Sequence, residues 1–373
     1  MTARSQTFST FAPALLDSRG QAVLAAIIKE HIVTGEPVGS RVISDRFSHA
    51  SGWSAPTIRN VMAELEEAGL VEQPHTSAGR VPTDKGYRFY VDHMLGESRL
   101  SKADLAAINS MLGTAHPGAS GAPDRLMEKT SHVLSALTEN VGIVISPSLA
   151  ENRLQHIEFT QLSDNRILVV LVSTANIIYN KLIRISEPLT QGDLDRTARY
   201  LNVEFSGKSL SAIRAEILEL MREEKALYDR LLHNAVLLCE RSLEGEDGST
   251  GDVYVDGASN ILTKPDFADA ERMRELFRMF EEKSKLVKIL NECVARDASD
   301  AGDVQVVIGR EHAAPSMQSC ALITAPYRVG GGEVAGTIGV VGPVRIEYAR
   351  MMTVVNYMAR LIEKMLREER GNA

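Results

Sequence analysis

Apolar residues first recur at helical spacing between Leu15 and Val33, where Leu16, Val23, Leu24, Ile27, Ile28 and Ile32 share one face. The pattern stops at Thr34-Gly35-Glu36-Pro37. A second, short helix is expected from Val38-Gly39-Ser40, with Val42, Ile43 and Phe47 inward and an end in the small polar stretch Ser48 to Gly52. A third opens at Ser54, a good N-cap, with Pro56 in the first turn where its missing N–H costs nothing, and it runs to Ala68 before Gly69. Residues 70 to 83 read as strand, turn and strand: Leu70-Val71-Glu72, a loop from Gln73 to Gly79, then Arg80-Val81-Pro82-Thr83. Three helices followed by a hairpin is the order of a winged helix-turn-helix. A further helix is expected from Thr83 to Leu95.

Residues 113 to 124 are rich in Gly and Pro and suit a flexible boundary. Beyond it a helix carrying Leu126, Val133, Leu134 and Leu137 leads into strand-like stretches at 141–146, 155–161, 166–173 and 177–185. Asp164-Asn165 and Ala175-Asn176 supply candidate hairpin turns. From Asp193 to Glu244 the sequence turns charged and helical, and an acidic, glycine-rich loop closes that stretch. Strand character resumes at 253–255, a long helical stretch spans Asp266 to Ala295, and strands follow at 304–309, 320–325 and 334–341. A last helix covers Pro343 to about Arg367. A β pattern interrupted by helical sequence predicts an α+β domain with an insertion.

The chain has 373 residues, more than one hydrophobic core usually organises, so several domains are expected. No apolar run approaches the roughly 18 residues that span a bilayer, and Met1 to Pro13 lacks the apolar block of a secretory signal, so a cytoplasmic location is expected. Cys239, Cys293 and Cys320 lie far apart in apolar surroundings and read as packing residues. No metal, cofactor or catalytic signature is found. Gly330-Gly331-Gly332, with Gly336 and Gly339, lacks the Lys and Ser/Thr of a phosphate loop and reads as a hairpin.

The net charge of −8 excludes non-specific coating of nucleic acid, which needs a broad basic surface. Any contact with DNA must therefore be local. In the third helix Ile58, Val61, Met62 and Leu65 share the core side, and Pro56, Asn60, Ala63 and Glu67 lie opposite, flanked by Thr57 and Arg59. The first two turns of the exposed face offer donors; the last two carry Glu64, Glu66 and Glu67, which phosphates repel. Only the amino end can enter a groove deeply. Arg59 suits guanine and Asn60 adenine, while an ion pair from Arg59 to Glu66 is the competing use of that guanidinium. His75-Thr76-Ser77-Ala78-Gly79-Arg80 places hydroxyls, N–H groups and a cation at a hairpin tip, suited to phosphate or minor-groove contact, although an ordinary solvated turn has the same composition. Residues 1 to 100 carry a net charge of −1, so one copy should bind weakly and two should share the work.

Gly35-Glu36-Pro37-Val38-Gly39-Ser40, Thr57-Ile58-Arg59-Asn60, the string Gln73 to Thr83 and Gly86-Tyr87-Arg88 resemble the HrcA family of bacterial heat-inducible transcription repressors. The resemblance continues through Gly257-Ala258-Ser259-Asn260, Ile308-Gly309-Arg310-Glu311 and Gly336 to Arg345. Two departures are visible. Ser54-Ala55-Pro56-Thr57 stands where the family usually has Ser-Pro-Ala-Thr, and Val344-Arg345-Ile346-Glu347-Tyr348 where it usually has Thr-Arg-Met-Asp-Tyr.

The resemblance implies a winged helix-turn-helix over 1–100, a linker over 101–125, a discontinuous GAF-like domain over 126–186 and 251–373, and an inserted dimerising domain over 187–250. It implies a homodimer on an inverted-repeat operator of double-stranded DNA that represses chaperone operons and needs the GroE chaperonin for its active fold. The residues expected at DNA are Ser40, Arg41, Ser54, Thr57, Arg59, Asn60, His75, Thr76, Ser77, Gly79 and Arg80. A metabolite-sensing winged-helix/GAF transcription regulator is the alternative. An enzyme fused to a DNA-binding domain finds no motif in residues 125 to 373.

Overall fold

In the computed structural model the first apolar stripe is helix α1, Ser18–Thr34, capped by the Asp17 carboxylate, which accepts the Gly20 N–H at 2.7 Å. The structure describes residues 16–47, 52–75, 78–96, 98–112, 122–146, 153–174, 178–185, 189–209, 212–213, 215–217, 234–239, 241, 252–267, 269–295, 304–329 and 333–368. They fall into two units. One draws on Met1–Ser98, Ile308–Arg310 and Val344–Ala349; the other on Arg99–Val307, Glu311–Pro343 and Arg350–Ala373.

In the first unit α1 is followed by α2, Ser40–Phe47, and α3, Ala55–Glu67. Strands β1, Val71–Glu72, and β2, Val81–Pro82, pair antiparallel, and α4, Asp84–His93, is capped by the Thr83 hydroxyl. Val23, Leu24, Ile27 and Ile28 of α1 are buried, as the periodicity requires. Helix α2 starts at Ser40, the last residue of the expected starting stretch, and Val38 has another use. It forms an isolated β-bridge with Arg80: the Val38 N–H donates to the Arg80 carbonyl, and the Val38 carbonyl accepts the Arg80 N–H in return, both at 2.9 Å. Val38 is therefore the buried residue, and Val42, expected inward, is 47% exposed. The bridge joins Val38 to the base of the hairpin and explains Gly79: a Cβ there would fall 2.4 Å from the Val38 carbonyl carbon and oxygen.

Two late stretches of the chain complete this unit. The Asp84 carboxylate accepts the Arg310 N–H at 2.9 Å, and Gly309 beside it has φ of 52°, with no room for a Cβ against that carboxylate. The Arg345 guanidinium donates to the Ile32 carbonyl at 3.2 Å. The buried rings of Tyr87 and Tyr348 meet at 5.8 Å between centroids, and the Tyr87 hydroxyl lies 2.8 Å from His31 Nδ1. Residues 1–98 thus pack together with short stretches from far along the chain.

The second unit begins with α5, Lys102–Leu112, inside the stretch expected as linker; residues 113–121 lie outside those described. Helix α6, Ala122–Thr138, follows, then β3, Val141–Ile145. Strands β4, Leu154–Gln161, β5, Arg166–Ser173, and β6, Ile178–Arg184, form a separate antiparallel sheet in the order β4-β5-β6. Asp164 and Asn165 turn β4 into β5 with positive φ, while Ala175 and Asn176 lie outside the described residues. Helix α7, Gln191–Glu204, opens on a reciprocal cap between Thr190 and Asp193. Ile157, Phe159, Ile167, Val169 and Leu171 share one core with Leu194, Leu201, Phe205, Ile217 and Leu238. Residues 154–185 therefore pack with the expected insertion and not with the GAF-like strands, because their alternating buried face is covered by helices C-terminal to them.

The larger sheet has the order β7-β3-β10-β9-β8. It comprises β7, Val253–Asp256, β8, Gln305–Ile308, β9, Cys320–Val329, and β10, Glu333–Pro343, together with β3. Helix α8, Ala258–Leu262, follows β7; the expected single helical stretch then splits into a 3-10 turn, α9, Ala270–Glu281, and α10, Lys283–Ala295. Val141, Ile143 and Ile145 of β3 join Leu276, Met279, Leu286 and Leu290 in a second core. Residues 330–332 lie outside the described set, and the strands flanking them pair antiparallel as a hairpin requires. The last helix, α11, spans Tyr348–Glu368. All three cysteines are buried, and burial pushes the Cys320 thiol up to about 12.

Trp53, the single tryptophan, lies in the first unit against Phe47 and reports on it. Asp84→Ala should lower the urea midpoint of the Trp53 transition, corresponding to a loss of about 1.5–3 kcal/mol of stability for a charge-assisted hydrogen bond. An unchanged midpoint would show that the residue 308–310 contact contributes nothing to this unit.

Candidate nucleic-acid interface

Helix α3 starts where a serine caps it. Ser54 is extended, its hydroxyl accepts the Thr57 N–H at 3.4 Å and lies 3.0 Å from the Thr57 hydroxyl, and Pro56 occupies the first turn. The proline shifted by one position relative to the family pattern is accommodated there. Ile58, Val61, Met62 and Leu65 are buried, which fixes the rotation of the helix about its axis. Arg59 and Asn60 then emerge exposed, and neither side chain makes a hydrogen bond or ion pair among the described residues. Thr57 is half-buried.

The turn before α3 is held by side chains. Phe47 and Trp53 pack with ring centroids 4.9 Å apart, and the Ser44 hydroxyl donates to the Trp53 carbonyl at 2.9 Å. Ser40, half-buried, and Arg41, exposed, lie in the first turn of α2. Charge is divided along α3 as expected: the amino end carries Arg59 and Asn60, the carboxyl end Glu64, Glu66 and Glu67.

The hairpin distributes its residues differently from the sequence expectation. His75 is exposed, and its carbonyl accepts the Ala78 N–H at 2.8 Å; Thr76 and Ser77 lie outside the described residues. Gly79 sits against Val38. Arg80 is only 18% exposed and its guanidinium pairs with Glu66 at 2.8 Å. Glu66 is thus taken by Arg80, and the competing Arg59–Glu66 pair does not form. Arg80 braces the hairpin to α3, while Ser54 caps the helix; both have structural duties in the free protein. Sequence reasoning missed the brace, since a pair 14 residues apart follows neither helical nor strand spacing.

Comparison with known proteins bears on this arrangement. A family model described as the HrcA protein C terminal domain matches residues 124–352. The heat-inducible transcription repressor HrcA of Geobacter sulfurreducens is 41% identical over 354 residues, covering 95% of this chain and 99% of its own. This chain belongs to the HrcA family. A second HrcA, from Syntrophobacter fumaroxidans, is 37% identical over 353 residues, covering 95% and 98% of the two chains. A crystal structure at 2.2 Å resolution of a protein described as hypothetical has a TM-score of 0.61 at 24% identity, covering 95% of this chain and 99% of that one, a likeness of fold. HrcA proteins are named as transcription repressors, which places this chain among regulators of transcription. Among the described residues no cluster of three or more His, Cys, Asp or Glu could hold a metal, and no helix is long and apolar enough to cross a membrane.

A double-mutant cycle on Arg80 and Glu66, each changed to Ala, should give a coupling of about 0.5–1 kcal/mol that shrinks as salt is raised. Zero coupling at low salt would remove the brace.

Proposed function

We propose that this HrcA-family chain represses chaperone operons by docking the amino end of α3, as part of a winged helix-turn-helix, in the major groove of an inverted-repeat operator. The observation that carries this reading is the state of Arg59 and Asn60. Both are exposed and uncommitted, on a helix whose opposite side is buried and whose acidic residues are confined to its far end. Donors at a helix amino terminus can reach base edges while the helix dipole favours nearby phosphate. Ser40 and Arg41 at the start of α2, with His75, Thr76 and Ser77, would supply the flanking backbone contacts.

Two copies are required on this reading, since the first 100 residues carry a net charge of −1 and cannot hold DNA by a basic field. The β4-β5-β6 sheet supports an inserted dimerising domain. Ile178 and Leu182 are 55% and 52% exposed, opposite Val172 and Leu168 in the ladder, and a second copy would cover that apolar stripe. The five-stranded sheet with its helices supports a GAF-like domain.

Dependence on the GroE chaperonin accords with a further property of the chain. Contacts that complete the first unit join Ile32 to Arg345 and Asp84 to Arg310, 313 and 226 residues apart. Such distant closures are slow and leave apolar surface open meanwhile.

Fluorescence anisotropy on an inverted-repeat duplex and a scrambled duplex tests the proposal. Asn60→Ala should weaken operator binding roughly five- to 150-fold, the effect of one lost bidentate base contact, while scrambled DNA is bound almost as before. Equal losses on both duplexes would remove Asn60 from base recognition. Refolding with chaperonin and ATP should raise the active fraction; the same fraction without them would end the chaperonin proposal while leaving the DNA proposal intact.

A further inference from the structure

The geometry points to a binding site for a small organic anion, a carboxylate or phosphate on an apolar body, in the second unit. A cavity of about 520 Å³ lies between α9, α10 and the chain after β8, within the size range of small-ligand sites. Its floor is apolar. Met279 and Cys293 reach it from the hydrophobic core, Ile289 and Val307 flank them, and the segment Ala313–Ser316 forms the far wall. The Ser316 hydroxyl donates to the Met279 sulfur at 3.8 Å and moors that wall to α9.

The rim is cationic. Arg278 comes from α9, and Lys285 and Lys288 from α10, against one lining carboxylate, Glu275. Lys285 is offset by Glu282 at 2.5 Å. Arg278 and Lys288 are exposed and form no ion pair among the described residues. Two uncommitted cations therefore stand on different helices at the mouth of an apolar recess. His312, 4% exposed, adds an imidazole to the same lining. A guanidinium presents a planar fork that matches a carboxylate or phosphate, and an ammonium adds a point charge. The apolar floor takes the rest of the molecule. A neutral ligand would leave the rim charges unused and a cationic one would be repelled.

This site goes beyond the operator reading and is independent of it, since binding is measured without DNA. Isothermal titration calorimetry on the full chain would use benzoate, hexanoate and phenyl phosphate as probes, with benzamide and hexanamide as uncharged counterparts. At least one anion should bind saturably with one site per chain, and the amides should not bind. Arg278→Gln and Lys288→Gln, both at exposed positions, should each weaken the anion at least fivefold, and Ala314→Leu, which fills the recess, should abolish binding. Absence of binding by all three anions overturns the assignment, as does equal binding of the amides. Binding that survives Ala314→Leu overturns it too, because the cations alone would then suffice.

Discussion

One buried stripe decides how the first unit presents itself. Ile58, Val61, Met62 and Leu65 can be satisfied only by turning inward against α1 and α2, and that rotation leaves Arg59 and Asn60 nowhere to go but outward. A slip of one residue about the helix axis would turn Arg59 inward and leucine outward, each costly. The chemistry offered to a partner thus follows from packing on the other side of the helix. The cap at Ser54, the ring contact of Phe47 with Trp53, and the Arg80–Glu66 brace hold that orientation from three directions.

Much of this was legible beforehand where the signal was local and periodic. Helix α3 could be read from its cap, its proline and its i, i+3, i+4 spacing, and the β4–β5 turn from Asp164-Asn165, because these depend on neighbours a few residues away. What escaped was pairing at a distance. Val38 reads as a helix start by its neighbours, yet its ladder partner is Arg80. Arg80 reads as a phosphate contact by its loop, yet its partner is a glutamate on α3. The strands at 154–185 were recognisable as strands, but alternation says that one face is buried and not which element covers it. Residues 102–112 read as linker by their proximity to the Gly/Pro-rich run that follows, yet form α5.

The second unit shows the same economy at larger scale. Its two sheets each bury one set of apolar residues under their own helices, giving two cores with separate membership. The β4-β5-β6 core can consequently change its outer face, and the five-stranded sheet its helix-lined recess, with little cost to the other. The outer face of one sheet and the recess beside the other can then diverge independently on one chain.

The closure of the first unit by residues 308–310 and 344–349 acts as a proof of completeness. A chain released early by a ribosome, or clipped by a protease between α4 and Val344, carries α3 intact yet leaves the Ile32 carbonyl without the Arg345 guanidinium and Tyr87 without the Tyr348 ring. The geometry ties a fully packed first unit to synthesis of the chain as far as residue 349.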